Sequence, residues 1–102
     1  MKKEKISKHL IEDRMDRYVT IATKVGLGEV QYTVERNGQY GFVKIELTST
    51  GVIIVRSVGD DKVITLYCAT IATIKRYFGF ERMPLPLYNT VRSNERRGYC
   101  NI

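Results

Sequence analysis

The sequence predicts an α+β domain: an N-terminal helix packed on a four-stranded antiparallel meander, a second helix after the last strand, and an irregular C-terminal tail. Three observations carry this. Four short apolar or alternating segments follow one another between residues 30 and 68. Turn-forming residues separate them closely enough that neighbours must pair antiparallel. Segments with helical apolar spacing flank the set on both sides.

Residues 4–23 read as the first helix. Ile6, Leu10, Met15 and Tyr18 keep approximate helical spacing, with Ile11, Val19 and Ala22 beside them. Ser7 offers an alternative, later cap. The β-branched run Tyr18-Val19-Thr20-Ile21 offers a place for the helix to end or restart, and Gly26 and Gly28 mark its exit. Val30, Tyr32 and Val34 then alternate with Gln31, Thr33 and Glu35, as in a strand buried on one face. Asn37-Gly38 is a hairpin signal, because both central turn positions need positive φ. Val43, Ile45 and Leu47 alternate with Lys44 and Glu46 in the second strand. Ser49-Thr50-Gly51 turns the chain into Val52-Ile53-Ile54-Val55, which is apolar on both faces and so needs cover on both sides. Gly59-Asp60-Asp61-Lys62 makes the last turn, and Val63-Ile64-Thr65-Leu66-Tyr67-Cys68 the fourth strand.

Residues 69–78 are predicted helical. Ile71, Ile74 and Phe78 share a face, Lys75 and Arg76 fall on the last turn, and Gly79 suits a C-terminal cap. Pro84-Leu85-Pro86 favours extended backbone. The polar, basic residues 89–102 fit a short helix, a loop packed through Leu85 and Leu87, or a tail that orders on binding. The organisation expected is one domain over 1–80 and a C-terminal basic extension over 81–102, packed on it or trailing from it.

Charge is segregated along the chain. Residues 25–68 hold four cations and five anions, a net of −1. Residues 1–24 hold seven and four, net +3, and residues 69–102 six and two, net +4. The middle is therefore scaffold, and the ends are the candidate working surface. A pI near 9.5 points to an anionic partner such as nucleic acid. With 43% hydrophobic residues, disorder throughout is excluded.

Cys68 lies in an apolar run and is expected as a small buried hydrophobe; Cys100 sits in a polar tail and is expected as an exposed free thiol. Two cysteines without Cys-x-x-Cys spacing and one histidine do not make a zinc site. No apolar h-region follows the basic N-terminus, and no run approaches the roughly 20 apolar residues of a membrane span. A cytoplasmic protein without metal, cofactor or membrane partner is expected.

His9 and Asp13 are four apart on the first helix, a spacing that suits a base with its orienting carboxylate and equally a solvated helical ion pair. Arg14 and Arg17 share a helix face, where with Lys5 or Lys8 they could hold a phosphate; Glu12, Asp13 and Asp16 compete for them. Lys75, Arg76, Arg92, Arg96 and Arg97 have fewer carboxylates nearby and make better phosphate contacts. Tyr32, Tyr40, Tyr67, Tyr77 and Tyr99 could stack on unpaired bases or pack in the core. Gly26-Leu27-Gly28 lacks the further glycine and the strand-before-helix setting of a nucleotide loop.

A histidine followed by Arg14-Met15-Asp16-Arg17, then a four-stranded meander ending in Val63-Ile64-Thr65-Leu66-Tyr67, resembles the small helix-then-meander proteins of the barnase, colicin and RelE-like ribonuclease superfamily. Many of these come from phages, toxin systems and mobile elements. The resemblance covers roughly residues 6–70. It implies that His9, Arg14, Arg17, Thr65 and Tyr67 map near an RNA-cleaving site, with Tyr67, Lys8 or Glu46 supplying the second proton-transfer group. A relative that binds without cleaving is equally compatible.

Two functions of different class follow as expectations. The first is a small protein of phage or mobile-element type that binds nucleic acid, RNA above DNA, as a relative of ribonuclease toxins; its site would comprise His9 and Tyr67 with the arginines and lysines above. The second is a non-enzymatic module that contacts a protein partner or a second copy through a sheet edge and a tyrosine-rich surface.

Overall fold

The structure, a computed structural model, describes residues 15–38, 41–80 and 82–101. Helix α1 (Met15–Lys24) leads into strands β1 (Val30–Gly38), β2 (Gly41–Thr48), β3 (Val52–Ser57) and β4 (Val63–Cys68). Helices α2 (Ile71–Phe78) and α3 (Leu85–Arg96) follow, then a 3-10 turn, Tyr99–Asn101. The sheet is an antiparallel meander in the order β1-β2-β3-β4. None of the described helices is long and apolar enough to cross a membrane.

The β-branched run does not end α1. The helix continues to Lys24, and the N–H groups of Val25 and Gly26 both donate to Ile21 O, at 3.0 and 2.9 Å. Burial of Ile21 outweighs its weak helix propensity: it is 1% exposed, in a cluster with Val52, Ile54, Val63, Leu66 and Cys68. The part of the predicted helix before Met15 lies outside the described residues.

The first hairpin turns later than Asn37-Gly38. These two residues pair with Phe42 and Gly41, which leaves residues 39–40, outside the described residues, between the strands. The side-chain pairing explains the register. Val34 lies opposite Ile45 and Tyr32 opposite Leu47, all on one face of the sheet. A turn centred on Asn37-Gly38 would set Val34 against Gly41 and lose that burial. The other two turns fall where the sequence places them. Gly51 N–H donates to Thr48 O (3.1 Å), and Ser57 and Lys62 close the last turn at 2.9 Å.

The central strand is covered on both sides, as its composition requires. Val52 and Ile54 face α1; Ile53 faces the other layer, with Ile45, Leu47, Ala69, Ile74, Leu87 and Val91. Helix α2 has the expected caps. The Thr70 side chain accepts from Thr73 N–H at 3.1 Å, and Gly79 (φ 63°) closes the C-terminus by donating to Lys75 O. A cluster of Tyr32, Phe78 and Phe80, with ring centroids 5.0–6.4 Å apart, seals the β1 side of this layer.

The segment expected to be irregular is helical. Pro84 is the N-cap of α3 and Pro86 sits in its first turn, where the missing N–H has no intrahelical partner to lose. Leu87, Val91 and Asn94 then form a buried stripe on the inner face. That spacing of four and three is visible in the sequence, but the two prolines conceal it.

Candidate phosphate-binding pocket

The end of α1, the β2–β3 turn and the end of α3 meet around a pocket of about 290 Å³. Lys24 and Val25 come from α1, Ser49 and Thr50 from the turn, and Thr90, Ser93 and Asn94 from α3. Arg97, the C-cap of α3, and Tyr99 complete the lining. None of these residues is acidic.

Side-chain to backbone hydrogen bonds hold the walls together. Ser49 N–H donates to Glu29 O (2.8 Å), while Glu29 N–H donates to Ser49 Oγ (3.1 Å). Thr50 Oγ1 donates to Gly26 O (2.7 Å), tying the turn to the exit of α1. Asn94 Nδ2 donates to Thr50 O (2.9 Å), tying it to α3. Close approach also restricts the glycines. Gly51 has φ +81°, and a Cβ there would lie 3.0 Å from Asn94 Nδ2 and 3.3 Å from Val91 Cγ2. A Cβ on Gly28 would lie 2.7 Å from Ser49 Oγ.

Lys24 and Arg97 are both exposed, and among the described residues neither forms an ion pair. The pocket therefore combines a half-buried floor of hydroxyl and amide groups with two cationic arms. That set can hold a phosphate through charge-assisted hydrogen bonds. Among the described residues no group of three or more His, Cys, Asp or Glu could hold a metal ion.

The residues singled out in the sequence fall into distinct places. His9, Arg14 and Tyr40 lie outside the described residues, and Arg17 is described only as part of the α1 backbone. Arg97 lines the pocket, and Arg96, also exposed, precedes it. Arg92 donates to Glu95 Oε2 (3.0 Å), while Glu95 Oε1 accepts from Ile71 N–H at 3.3 Å, so Arg92 has a local counter-ion.

Lys75, Arg76 and Tyr67 belong to a separate region where α2 covers the sheet. The Arg76 and Arg36 guanidinium carbons lie 6.0 and 5.9 Å from the Tyr77 ring centroid, and Arg36 donates to Tyr77 O at 2.9 Å. Burial, and then the neighbouring Tyr77, push the Tyr67 phenol well above its ordinary range, with Arg76 opposing. Tyr67 thus keeps its proton at neutral pH. Thr65 shares its face of β4.

Lys24, Ser49, Thr50, Ser93 and Asn94 had not been read as site residues. Ser49-Thr50 reads in sequence as turn chemistry alone, and Asn94 has no local signal beyond its place on the Leu87–Val91 stripe.

Cys100 is half-buried rather than exposed, and its thiol donates to Ala69 O (3.4 Å). Burial and then Cys100 raise Cys68, itself 3% exposed, to about 11; burial and then Glu95 raise Cys100. At pH 8 the Cys68 thiolate is scarcer than that of an ordinary thiol by about 100-fold. Both thiols are expected to react slowly with Ellman's reagent in the native protein, Cys68 the slower, and rapidly in guanidinium. Fast reaction of Cys68 before unfolding would contradict this packing.

Comparison with family models, with curated proteins and with solved structures finds no match to this chain.

Proposed function

We propose that the protein binds nucleic acid, single-stranded RNA in preference to duplex DNA, with the pocket as a phosphate contact. One observation carries this: Lys24 and Arg97, from the two basic ends of the chain, converge on a polar pocket whose lining contains no carboxylate among the described residues. The charge segregation and the pI near 9.5 support the same partner. Tyr99 packs partly against the Ile21 cluster and offers its remaining surface in the lining to an unpaired base. Binding is proposed rather than cleavage. Tyr67, the described member of the expected catalytic pair, lies in the layer beneath α2 and not in the pocket. The sheet-edge alternative is weaker, because β1 carries the exposed charges Glu35 and Arg36, which oppose edge-to-edge pairing.

Fluorescence anisotropy with a single-stranded RNA tests the reading. Affinity should fall steeply as salt rises from low to physiological concentration. Reversing both charges, Lys24→Glu with Arg97→Glu, should weaken binding roughly tenfold or more and lower the log–log salt slope by about 1.5. Arg92→Glu, at a residue already paired with Glu95, should do less. Absence of binding at low salt, or affinity unchanged by the double reversal, would overturn the proposal.

A further inference from the structure

We infer that the pocket seats the terminal phosphomonoester of a nucleic-acid strand rather than an internal phosphodiester; this rests on the nucleic-acid reading above. The first reason is charge. An internal diester carries one negative charge, whereas a terminal monoester carries about −1.5 to −2 near neutral pH and offers three acceptor oxygens. Two cations that, among the described residues, have neither an ion-pair partner nor a lining carboxylate beside them match the dianion.

The second reason is the supply of donors. Ser49 Oγ already accepts from Glu29 N–H, so its own proton is directed to another acceptor. Asn94 spends one amide hydrogen on Thr50 O and keeps the second. The Ser93 hydroxyl has no hydrogen-bond partner among the described residues. With the Lys24 ammonium and the Arg97 guanidinium, these make five donor groups, which spread over the three anionic oxygens of a monoester more evenly than over the two of a diester.

The third reason is shape. At about 290 Å³ the pocket lies at the small end of ligand sites, which run from roughly 300 Å³ upward. A space of that size, open to solvent, admits a single terminal nucleotide.

The test compares one RNA oligonucleotide in four forms: 5′-phosphorylated, 3′-phosphorylated, phosphorylated at both ends, and with both ends dephosphorylated. One end-phosphorylated form should bind about tenfold more tightly than the dephosphorylated form, and free uridine monophosphate carrying its phosphate at that same position should compete for the difference. Ser93→Ala and Lys24→Gln should each shrink this preference, at an unchanged melting temperature. Lys62→Gln, in the turn at the opposite end of the sheet, should leave it intact. Equal affinity for all four forms overturns the inference while the nucleic-acid reading stands. Failure of every form to bind overturns both. Inorganic phosphate matching uridine monophosphate as a competitor would show a bare anion site and would also overturn it.

Discussion

Glu46→Ala, at a buried carboxylate, is expected to lower the unfolding free energy by about 3 kcal/mol. Arg56 Nε donates to Glu46 Oε1 at 2.7 Å, and each residue is only 8% exposed on the sheet face that α1 shares. Lys44 Nζ lies 3.8 Å from the other carboxylate oxygen. Removing Glu46 takes away the carboxylate that accepts from Arg56 Nε, the shortest bond of this buried guanidinium, which keeps a bond to Asp61 O at 3.4 Å among its other contacts. The cost reflects the weaker compensation of a buried guanidinium more than the intrinsic strength of the pair. The double change Glu46→Met with Arg56→Met should therefore recover most of the loss. Urea titration followed by circular dichroism measures both, which suits a chain with no tryptophan. A loss below about 1 kcal/mol for Glu46→Ala would show that the pair is hydrated in solution.

The second large effect is expected in α3. Leu87→Ala should cost about 2–4 kcal/mol, because Leu87 is 5% exposed against Ile45, Leu47, Ile53 and Ile74, and truncation leaves a cavity there. Leu85→Ala, two residues earlier and 67% exposed, should change stability by no more than about 0.5 kcal/mol. The contrast separates a docked helix from a helix that merely forms. It also reaches the pocket: the stripe that seats α3 places Asn94 against the Thr50 carbonyl. Loosening Leu87 should therefore weaken the proposed nucleic-acid binding as well as the fold. Equal costs at the two leucines would mean that α3 does not pack as it stands here.

Legibility in the sequence followed the range of the interactions. Thr70 and Gly79 bound α2 through contacts within one or two turns, so the caps could be read directly. The short turns and the doubly apolar run at Val52–Val55 specified the meander and the need for two covering layers. The first hairpin was misplaced because a local preference at Asn37-Gly38 competed with the pairing of Val34 with Ile45 and lost. Helix α3 is only one of three readings the sequence leaves open, and its start is hidden because Pro84 and Pro86 read as extended backbone, whereas a first turn tolerates both. Of the candidate site, Arg97 was legible as a basic residue with few acidic neighbours. The hydroxyl floor was not, because Ser49 and Thr50 gain that role only beside α3.

By itself, then, the sequence determined the fold class, the order of the elements around the sheet, and the confinement of basic charge to the two ends. Each of these depends on spacing or composition within a short stretch of chain. Only the tertiary structure decided that Lys24 and Arg97 share one pocket, that Arg92 is paired with Glu95, and that Tyr67 is set apart beneath α2. The physical reason is separation along the chain. The Asn94–Thr50 bond that shapes the pocket spans 44 residues, and its geometry exists only after α3 has docked through Leu87 and Val91.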